Sequence, residues 1–209
     1  MTYRIKEIFF TQQGEGKNTG KDFIFVRFSG CNLWSGKEKN RASAICSFCD
    51  TDFYGTDGMN GGKYLAKDLI KKIKSLWISA DNQIRVVLTG GEPLLQVDKG
   101  LISALKTENI YIAVETNGTL EAPDGIDWIC MSPKANTEIK LRKGSEVKVI
   151  YPQKNLNPDN FNVLDFKNFY IQPMDSENYE DNVSQSVKYC MQNPNWKLSL
   201  QTHKILGIR

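Results

Sequence analysis

Three cysteines in the first quarter of the chain have a spacing that could hold a metal centre. They form the pattern Cys31-x14-Cys46-x2-Cys49. Two cysteines separated by two residues can direct both sulfurs at one site, and a third can arrive on a flexible loop. Zinc sites usually have four ligands, but the only histidine, His203, lies far along the chain. Three thiolates without a fourth ligand indicate an iron–sulfur cluster with one open iron. A loop zinc site, or thiols that bind nothing, is the alternative.

A glycine pair follows the apolar run at residues 84–88, in the sequence Thr89-Gly90-Gly91-Glu92-Pro93. Glycine lets the backbone approach a ligand closely, and it leaves N–H and C=O groups free to hydrogen-bond that ligand. The motif therefore indicates a ligand-binding loop between a strand and a helix. A tight turn without a ligand is the alternative.

Arg27 is a cation inside the apolar run at residues 23–28. An unpaired charge in such a place is costly, and a guanidinium cannot lose its proton to avoid the cost. Arg27 must therefore find an anion or reach water, and the anion can be a carboxylate of the protein or of a bound ligand. We favour the ligand, because Arg27 lies four residues before Cys31.

The elements that must position these residues are mostly strands. Several apolar runs lack alternation, which suits parallel strands that are covered on both faces. Helices are predicted where apolar residues recur on one face, and Pro93 is expected in the first turn of the second helix. The predicted strands are 23–28, 84–88, 110–114, 127–131, 146–151, 168–172 and 196–200, and the predicted helices are 64–77, 93–107 and 182–192.

The connections at 118–126 and 134–144 look too short and irregular for full crossover helices. We therefore expect an α/β sheet that curls into a partial barrel, with about six or seven strands and three principal helices. Chemistry-bearing residues follow these strands, and the carboxyl ends of parallel strands share one rim. The rim is predicted to carry Cys31, Thr89, Glu115, Ser132, Gln172 and His203.

The composition is that of an ordinary globular protein. The chain has 209 residues, a net charge of +3 and 40% hydrophobic residues, so one domain spanning residues 1–209 is expected. The charge is far from the dense basic face that nucleic-acid binding needs. We see no signal-peptide pattern or membrane-spanning run, and therefore expect a cytoplasmic protein. Cys130 and Cys190 are predicted to be small buried hydrophobes.

The cysteine loop resembles that of radical S-adenosylmethionine (SAM) enzymes, with Phe48 in the aromatic position before the last cysteine. The fourteen-residue gap departs from the usual Cys-x3-Cys-x2-Cys spacing and resembles a subset of the 7-carboxy-7-deazaguanine synthases. Further motifs across the whole chain are similar to that family, including the Gly-Gly-Glu-Pro loop described above. The others are Gln12-Gln13-Gly14-Glu15-Gly16, Asp50-Thr51-Asp52, Glu115-Thr116-Asn117-Gly118, Ser132-Pro133-Lys134 and Gln172-Pro173-Met174-Asp175.

The resemblance implies a partial TIM-like fold and a [4Fe–4S] cluster bound by the three cysteines. It places Gly91 at the methionine part of SAM and Glu115 at the ribose hydroxyls, supported by Asn117. A solvent-facing glutamate is the alternative for Glu115. The SAM-binding residues that it implies are Phe48, Asp50, Gly91, Glu115, Asn117, Ser132, Pro133, Lys134, Gln172, Pro173, Met174 and Asp175.

The resemblance also implies a substrate, 6-carboxy-5,6,7,8-tetrahydropterin, and a Mg²⁺ ion that Thr51 shares with the substrate carboxylate. Without it, residues 12–16 are an ordinary surface turn, and Asp50 or Asp52 caps the next turn. A core position for His203 is as well supported as a substrate contact. The implied substrate residues are Gln12, Gln13, Gly14, Glu15, Arg27, Thr89, His203 and Arg209.

The implied reaction forms 7-carboxy-7-deazaguanine with loss of ammonia, in queuosine and 7-deazapurine biosynthesis. A flavodoxin-like or ferredoxin-like reductant and a homodimer are implied as partners. Two other functions stay open. A glycyl-radical-activating enzyme would share the cluster but would need neither the Gln-Gly-Glu-Gly loop nor Asp-Thr-Asp, and a zinc-binding interaction module would need no substrate residues.

Overall fold

The computed structural model describes residues 1–209, and its centre is one sheet of nine strands in the order β3-β1-β2-β4-β5-β6-β7-β8-β9. The strands are β1 (Tyr3–Gln12), β2 (Asp22–Phe28), β3 (Gly62–Tyr64), β4 (Arg85–Gly90), β5 (Tyr111–Thr116), β6 (Trp128–Met131), β7 (Lys143–Tyr151), β8 (Asp165–Pro173) and β9 (Trp196–Leu198).

The seven strands from β2 to β9, with β3 excepted, are parallel neighbours. All seven correspond to the predicted strands, which confirms the α/β class and the partial TIM-like architecture. The sheet is open, with β3 and β9 at its edges. The prediction of six or seven strands missed β1 and β3, which pair antiparallel to β2 and to β1 respectively.

The helices are α1 (Ala66–Leu76), α2 (Lys99–Thr107), α3 (Tyr179–Gln192) and α4 (Thr202–Leu206). The predicted helix over 93–107 was wrong in its first part, because Pro93–Leu95 form only a 3₁₀ turn. The α-helix starts at Lys99, where Asp98 Oδ1 accepts the backbone N–H of Leu101 at 2.8 Å and so caps the new helix. The connections at 118–126 and 134–144 contain no helix, as predicted.

Both faces of the central strands are covered. Val86 and Leu88 of β4 pack with α1 and α2 in the main core, while Val87 between them packs with Phe23 and Ala113 on the opposite face. This two-sided burial explains why these strands show no polar alternation in sequence. No helix in the structure has both the length and the apolar character needed to cross a bilayer.

Candidate active site

A cavity of about 340 Å³ opens at the carboxyl ends of the parallel strands. All six residues expected at this rim lie on its wall, from Cys31 after β2 to His203 in α4. Every other residue predicted to hold the cluster, SAM, Mg²⁺ or substrate also lines it, with one exception. Pro133 does not; its carbonyl oxygen accepts a hydrogen bond from Gln153 Nε2 at 3.3 Å.

The three cysteines of the loop face this cavity as free thiols. The Cys46 thiol donates a hydrogen bond to Cys49, which lowers the pKa of Cys49 to about 6. Burial raises the pKa of Cys31, although the backbone N–H of Leu33 approaches its sulfur at 3.4 Å. The thiolate is the form that binds a metal, so Cys49 is already prepared to do so.

The donor set fits an iron–sulfur cluster. No three His, Cys, Asp or Glu side chains converge on a single-ion position. A cubane cluster makes a different demand, because each thiolate binds its own iron. Cys31, Cys46 and Cys49 on one cavity wall meet that demand and leave a fourth iron for another ligand.

The segment between the first two cysteines is ordered by its own contacts. Residues Glu38–Ser43 form a 3₁₀ helix, and the guanidinium of Arg41 lies 4.1 Å over the ring of Trp34. Arg41 Nη1 also donates to the carbonyl oxygens of Ser47 and Cys49, at 2.9 and 3.0 Å. The insertion therefore holds the backbone that carries the last two cysteines.

The glycine pair lies where the backbone at the end of β4 touches the cluster loop. A side chain at Gly91 would overlap the carbonyl oxygen of Gly30 and come within 2.9 Å of Cys31 Cβ. Gly90 has φ +130°, and a side chain there would overlap the Phe28 backbone. These glycines are required by packing as well as by any ligand.

Glu92 is fully buried, and it fastens this loop to the end of β5. Its carboxylate accepts hydrogen bonds from Thr116 Oγ1 at 2.8 Å and from the backbone N–H of Asn117 at 2.7 Å. Burial raises the pKa of Glu92. The side-chain amide of Asn117 donates to Asn32 Oδ1 at 2.9 Å, beside Cys31. Asn117 thus supports the cluster loop, in addition to lining the cavity.

Glu115 joins residues that were predicted to bind different ligands. Its Oε1 accepts from Gln13 Nε2 at 2.9 Å, and its Oε2 accepts from Thr89 Oγ1 at 3.2 Å. Gln13 and Thr89 were predicted to contact substrate, and Glu115 was predicted to contact SAM. One hydrogen-bond network therefore spans both predicted subsites.

Sequence reasoning missed Lys148, a buried cation of β7 that pairs with Glu15. The side chain of Lys148 is 5% exposed and its Nζ lies 3.9 Å from Glu115 Oε1. The other oxygen of Glu15 accepts from Gln172 Nε2 at 3.0 Å and from Gln201 Nε2 at 2.9 Å. Burial favours neutral Glu15, but Lys148 and Gln201 together outweigh burial, and the pKa of Glu15 is lowered. Lys148 stands among Val147, Val149 and Ile150, so the reasoning applied to Arg27 would have found it.

Arg27 has a protein partner that the sequence did not reveal. Its Nε donates to Glu7 Oε1 at 2.9 Å, and Glu7 Oε2 accepts from Arg209 Nη1 at 3.0 Å. Glu7 belongs to β1, the strand that was not predicted. Of the two partners that the sequence left open, the protein carboxylate is therefore present, and the favoured contact with a ligand carboxylate stays a prediction. The bond uses Nε and leaves the two terminal nitrogens of Arg27 for another anion at the cavity wall.

The remaining predicted residues lie at the mouth. Lys204, also missed, donates to Asp50 Oδ2 at 2.6 Å and to Asp175 Oδ2 at 2.5 Å. His203 packs so closely on Gly14 that a side chain at Gly14 would overlap its ring. Lys134 Nζ donates to Ser132 Oγ at 2.8 Å. Gln12, Phe48, Thr51, Pro173 and Met174 complete the predicted lining.

Curated proteins named 7-carboxy-7-deazaguanine synthase match the chain from end to end. The proteins of Caulobacter vibrioides and Bradyrhizobium diazoefficiens are each 53% identical, and that of Burkholderia multivorans is 50% identical, with all of both chains covered. The chain belongs to the 7-carboxy-7-deazaguanine synthase family.

The structural comparison supports the architecture of this synthase family. The crystal structure of QueE from Escherichia coli matches with a TM-score of 0.73 and 24% identity, over 96% of this chain and 94% of that one. At that identity the match bears on the fold alone. No protein-family model matches the chain.

Proposed function

We propose that the chain converts 6-carboxy-5,6,7,8-tetrahydropterin to 7-carboxy-7-deazaguanine with loss of ammonia, as a radical SAM lyase. Membership of the synthase family supports this reaction. One observation carries the proposal further: three free thiols and a polar network of Gln13, Glu15 and Glu115 share one cavity. A zinc-binding module would have no use for that network.

Cys31, Cys46 and Cys49 would hold a [4Fe–4S] cluster, and SAM would bind the iron that has no cysteine ligand. When both are bound, they supply the radical chemistry that removes a hydrogen atom from the substrate. The protein binds and orients the two organic molecules. Glu115 would contact the nucleoside end of SAM and Gly91 its methionine end; both residues line the cavity, and Gly91 packs against Gly30 and Cys31.

The substrate would be held by groups that complement its edge and its carboxylate. Gln13 and Glu15 offer amide and carboxylate groups to the donor–acceptor row of a pterin. The terminal nitrogens of Arg27 suit the planar carboxylate. Thr51, which follows Cys49 by two residues and lines the cavity, would bring Mg²⁺ to the same carboxylate.

The Gln13–Glu15 network also favours this activity over glycyl-radical activation. A macromolecular substrate needs access for a peptide loop, whereas Glu15 and Lys148 are nearly closed off from solvent, with 13% and 5% of their side chains exposed. An external flavodoxin-like or ferredoxin-like reductant, a homodimer and a reducing cytoplasm complete the proposal. The three thiols support the reducing compartment, because only reduced cysteines can bind a cluster.

The test is mass spectrometry of an anaerobic reaction that contains reconstituted protein, the carboxypterin, SAM and a chemical reductant. We expect 7-carboxy-7-deazaguanine from the wild-type protein and none from Cys46→Ala. Full cluster content and SAM binding without this product would contradict the proposed reaction and leave only the superfamily assignment.

A further inference from the structure

We propose that Lys148 is a positioning residue that holds the side chains of Glu15 and Glu115 beside each other and so couples the two ligand subsites. This inference rests on the proposed function for the identity of the two ligands, SAM and the carboxypterin. Lys148 comes from the middle of β7, an element that carries none of the residues predicted from the sequence.

Lys148 lies between two carboxylates from different parts of the chain. Its ammonium is bonded to Glu15 Oε2 and lies 3.9 Å from Glu115 Oε1. Glu15 stands on the loop after β1, and Glu115 stands near the end of β5. A single buried cation thus sets the distance between a residue of the pterin subsite and a residue of the SAM subsite.

The uncharged neighbours cannot replace this cation. Glu15 Oε1 accepts from the amides of Gln172 and Gln201, and Glu115 accepts from Gln13 and Thr89. These donors orient the two carboxylates, but they carry no charge. Without an ammonium, two like charges would face each other in a poorly hydrated place, which favours protonation of one of them.

Other ionisable groups near Lys148 add further acidic side chains around its ammonium. Glu146 is buried on the same strand and accepts from the backbone N–H of Lys17 at 2.9 Å, and the Cys130 thiol approaches it at 3.4 Å. Burial raises the pKa of both Glu146 and Cys130. His203 also faces Glu15, from α4. Lys148 is therefore the cation that lies among three acidic side chains, Glu15, Glu115 and Glu146.

Loss of Lys148 should make ligand binding depend on pH. In the wild-type protein the pKa of Glu15 is lowered, so Glu15 stays ionised across the neutral range. Removal of the ammonium leaves burial, which raises the pKa of a carboxyl group, without its main opponent. In a Lys148→Met variant, Glu15 should therefore take up a proton as the pH falls, and the ionised form should return as the pH rises.

Lys148→Met is the decisive variant, because methionine has a similar length and no charge. Lys143→Met is the matched control, since Lys143 is exposed on the same strand. Lys148→Arg keeps the charge. For each protein, the affinities for SAM and for the carboxypterin are measured separately under anaerobic conditions, from about pH 6 to about pH 9. Each affinity is divided by the wild-type affinity at the same pH, which cancels the effect of the ligands' own ionisation on binding.

We expect Lys148→Met to weaken the binding of both ligands by roughly tenfold to a hundredfold near pH 6, because Glu15 loses its charge and Glu115 loses the ammonium that positions it. The pterin deficit should shrink as the pH rises. Lys148→Arg should recover much of both affinities, and Lys143→Met should match the wild type. A deficit that does not vary with pH, or that affects only one ligand, would overturn the coupling role.

Melting temperatures of the ligand-free variants provide a second test. A buried carboxylate that has lost its partner destabilises the fold, so Glu15→Gln should restore much of the stability that Lys148→Met loses. If the double variant instead lost the sum of the stabilities that Lys148→Met and Glu15→Gln lose singly, the Lys148–Glu15 pair would not be an interacting unit. If the wild-type protein bound SAM but not the carboxypterin, the proposed function would fail, while the SAM affinities and the melting data would still decide the role of Lys148.

Discussion

Arg41 and Cys49 are joined across the cysteine loop, because Arg41 Nη1 donates a hydrogen bond to the carbonyl oxygen of Cys49 at 3.0 Å. The same guanidinium stacks on Trp34, which packs edge-to-face on Phe53 at 5.4 Å. The fourteen-residue insertion is thus connected both to the last cysteine and to the aromatic residues beneath it.

Replacement of Arg41 by Gln should lower the iron content after reconstitution, because the backbone that presents Cys46 and Cys49 loses its clamp. We also expect a lower melting temperature for the apo protein, because the cation–π contact with Trp34 and the two hydrogen bonds to the backbone are lost. Iron per chain and visible absorbance measure the first effect, and thermal melting measures the second. Lys39→Gln is the matched control, since Lys39 is an exposed cation on the same 3₁₀ helix. Normal iron content in Arg41→Gln would show that the insertion does not position the cluster.

The cysteines themselves should divide into two groups. Alanine at Cys31, Cys46 or Cys49 should abolish the cluster and SAM cleavage, because in the proposed site each thiol would bind a separate iron. Serine at Cys130 or Cys190 should spare both. Cys130 donates to Glu146 at 3.4 Å, and a serine hydroxyl can make the same bond. Iron analysis and detection of 5′-deoxyadenosine provide the measurement. Full SAM cleavage by Cys31→Ala would refute the assignment of the long cysteine spacing.

The parallel strands could be predicted because their information is local. Val86-Val87-Leu88 and residues 111–114 are apolar on both faces, and each run has its own turn residues beside it. The polar rim followed from the same runs, since each strand end places the next residue at the shared edge. The sequence alone therefore predicts the position of Cys31, Thr89 and Glu115 at the rim, where they line the cavity.

The rest of the site depends on pairs that are remote in sequence. Strand β1 was missed because Lys6 and Glu7 interrupt its apolar pattern, yet Lys6 is neutralised by Asp57 and Glu7 by Arg27. Neither partner can be recognised from spacing alone. The same limit hid Lys148, whose partner Glu15 lies on the loop after β1.

Gly91 offers a test of close packing at the cavity. A methyl group there would overlap the Gly30 carbonyl oxygen and press on Cys31, so Gly91→Ala should displace the cluster loop and lower both iron content and SAM affinity. Gly100→Ala is the control in helix α2, because its methyl group would meet only the Asp98 side chain, at 3.3 Å, so iron content and SAM affinity should not change. Isothermal titration with SAM and iron analysis measure the outcome. Wild-type values for Gly91→Ala would mean that the backbone can move aside freely.

Thr51 tests the proposed Mg²⁺ site without disturbing the cluster. Thr51→Ala should weaken the dependence of turnover on Mg²⁺ and slow product formation, while SAM still binds, because only the hydroxyl ligand is lost. Mg²⁺ titrations of the rate and SAM affinities are compared with those of Thr107→Ala, an exposed threonine at the end of α2. An unchanged rate and an unchanged titration would place the metal elsewhere.

Arg27 tests whether a residue with a protein partner also serves the substrate. Arg27→Gln should lower carboxypterin affinity roughly tenfold to a hundredfold, since a charge-assisted pair contributes about 1.5–3 kcal/mol. The fold should tolerate the change, because Glu7 keeps its hydrogen bond from Arg209 Nη1 at 3.0 Å. Melting temperature and carboxypterin affinity are measured on one preparation.

A Glu7→Gln variant separates the structural role of Arg27 from its proposed substrate role. If Arg27 served only Glu7, Arg27→Gln and Glu7→Gln would lower the melting temperature by similar amounts and leave affinity unchanged in the folded protein. If Arg27 also binds the substrate carboxylate, Arg27→Gln should cost far more affinity than Glu7→Gln. Arg85→Gln controls for the loss of an arginine. Arg85 lies on β4, the strand next to β2, and the change removes its ion pair with Asp81. Equal affinities for all three variants would refute the substrate role and leave Arg27 as a structural partner of β1.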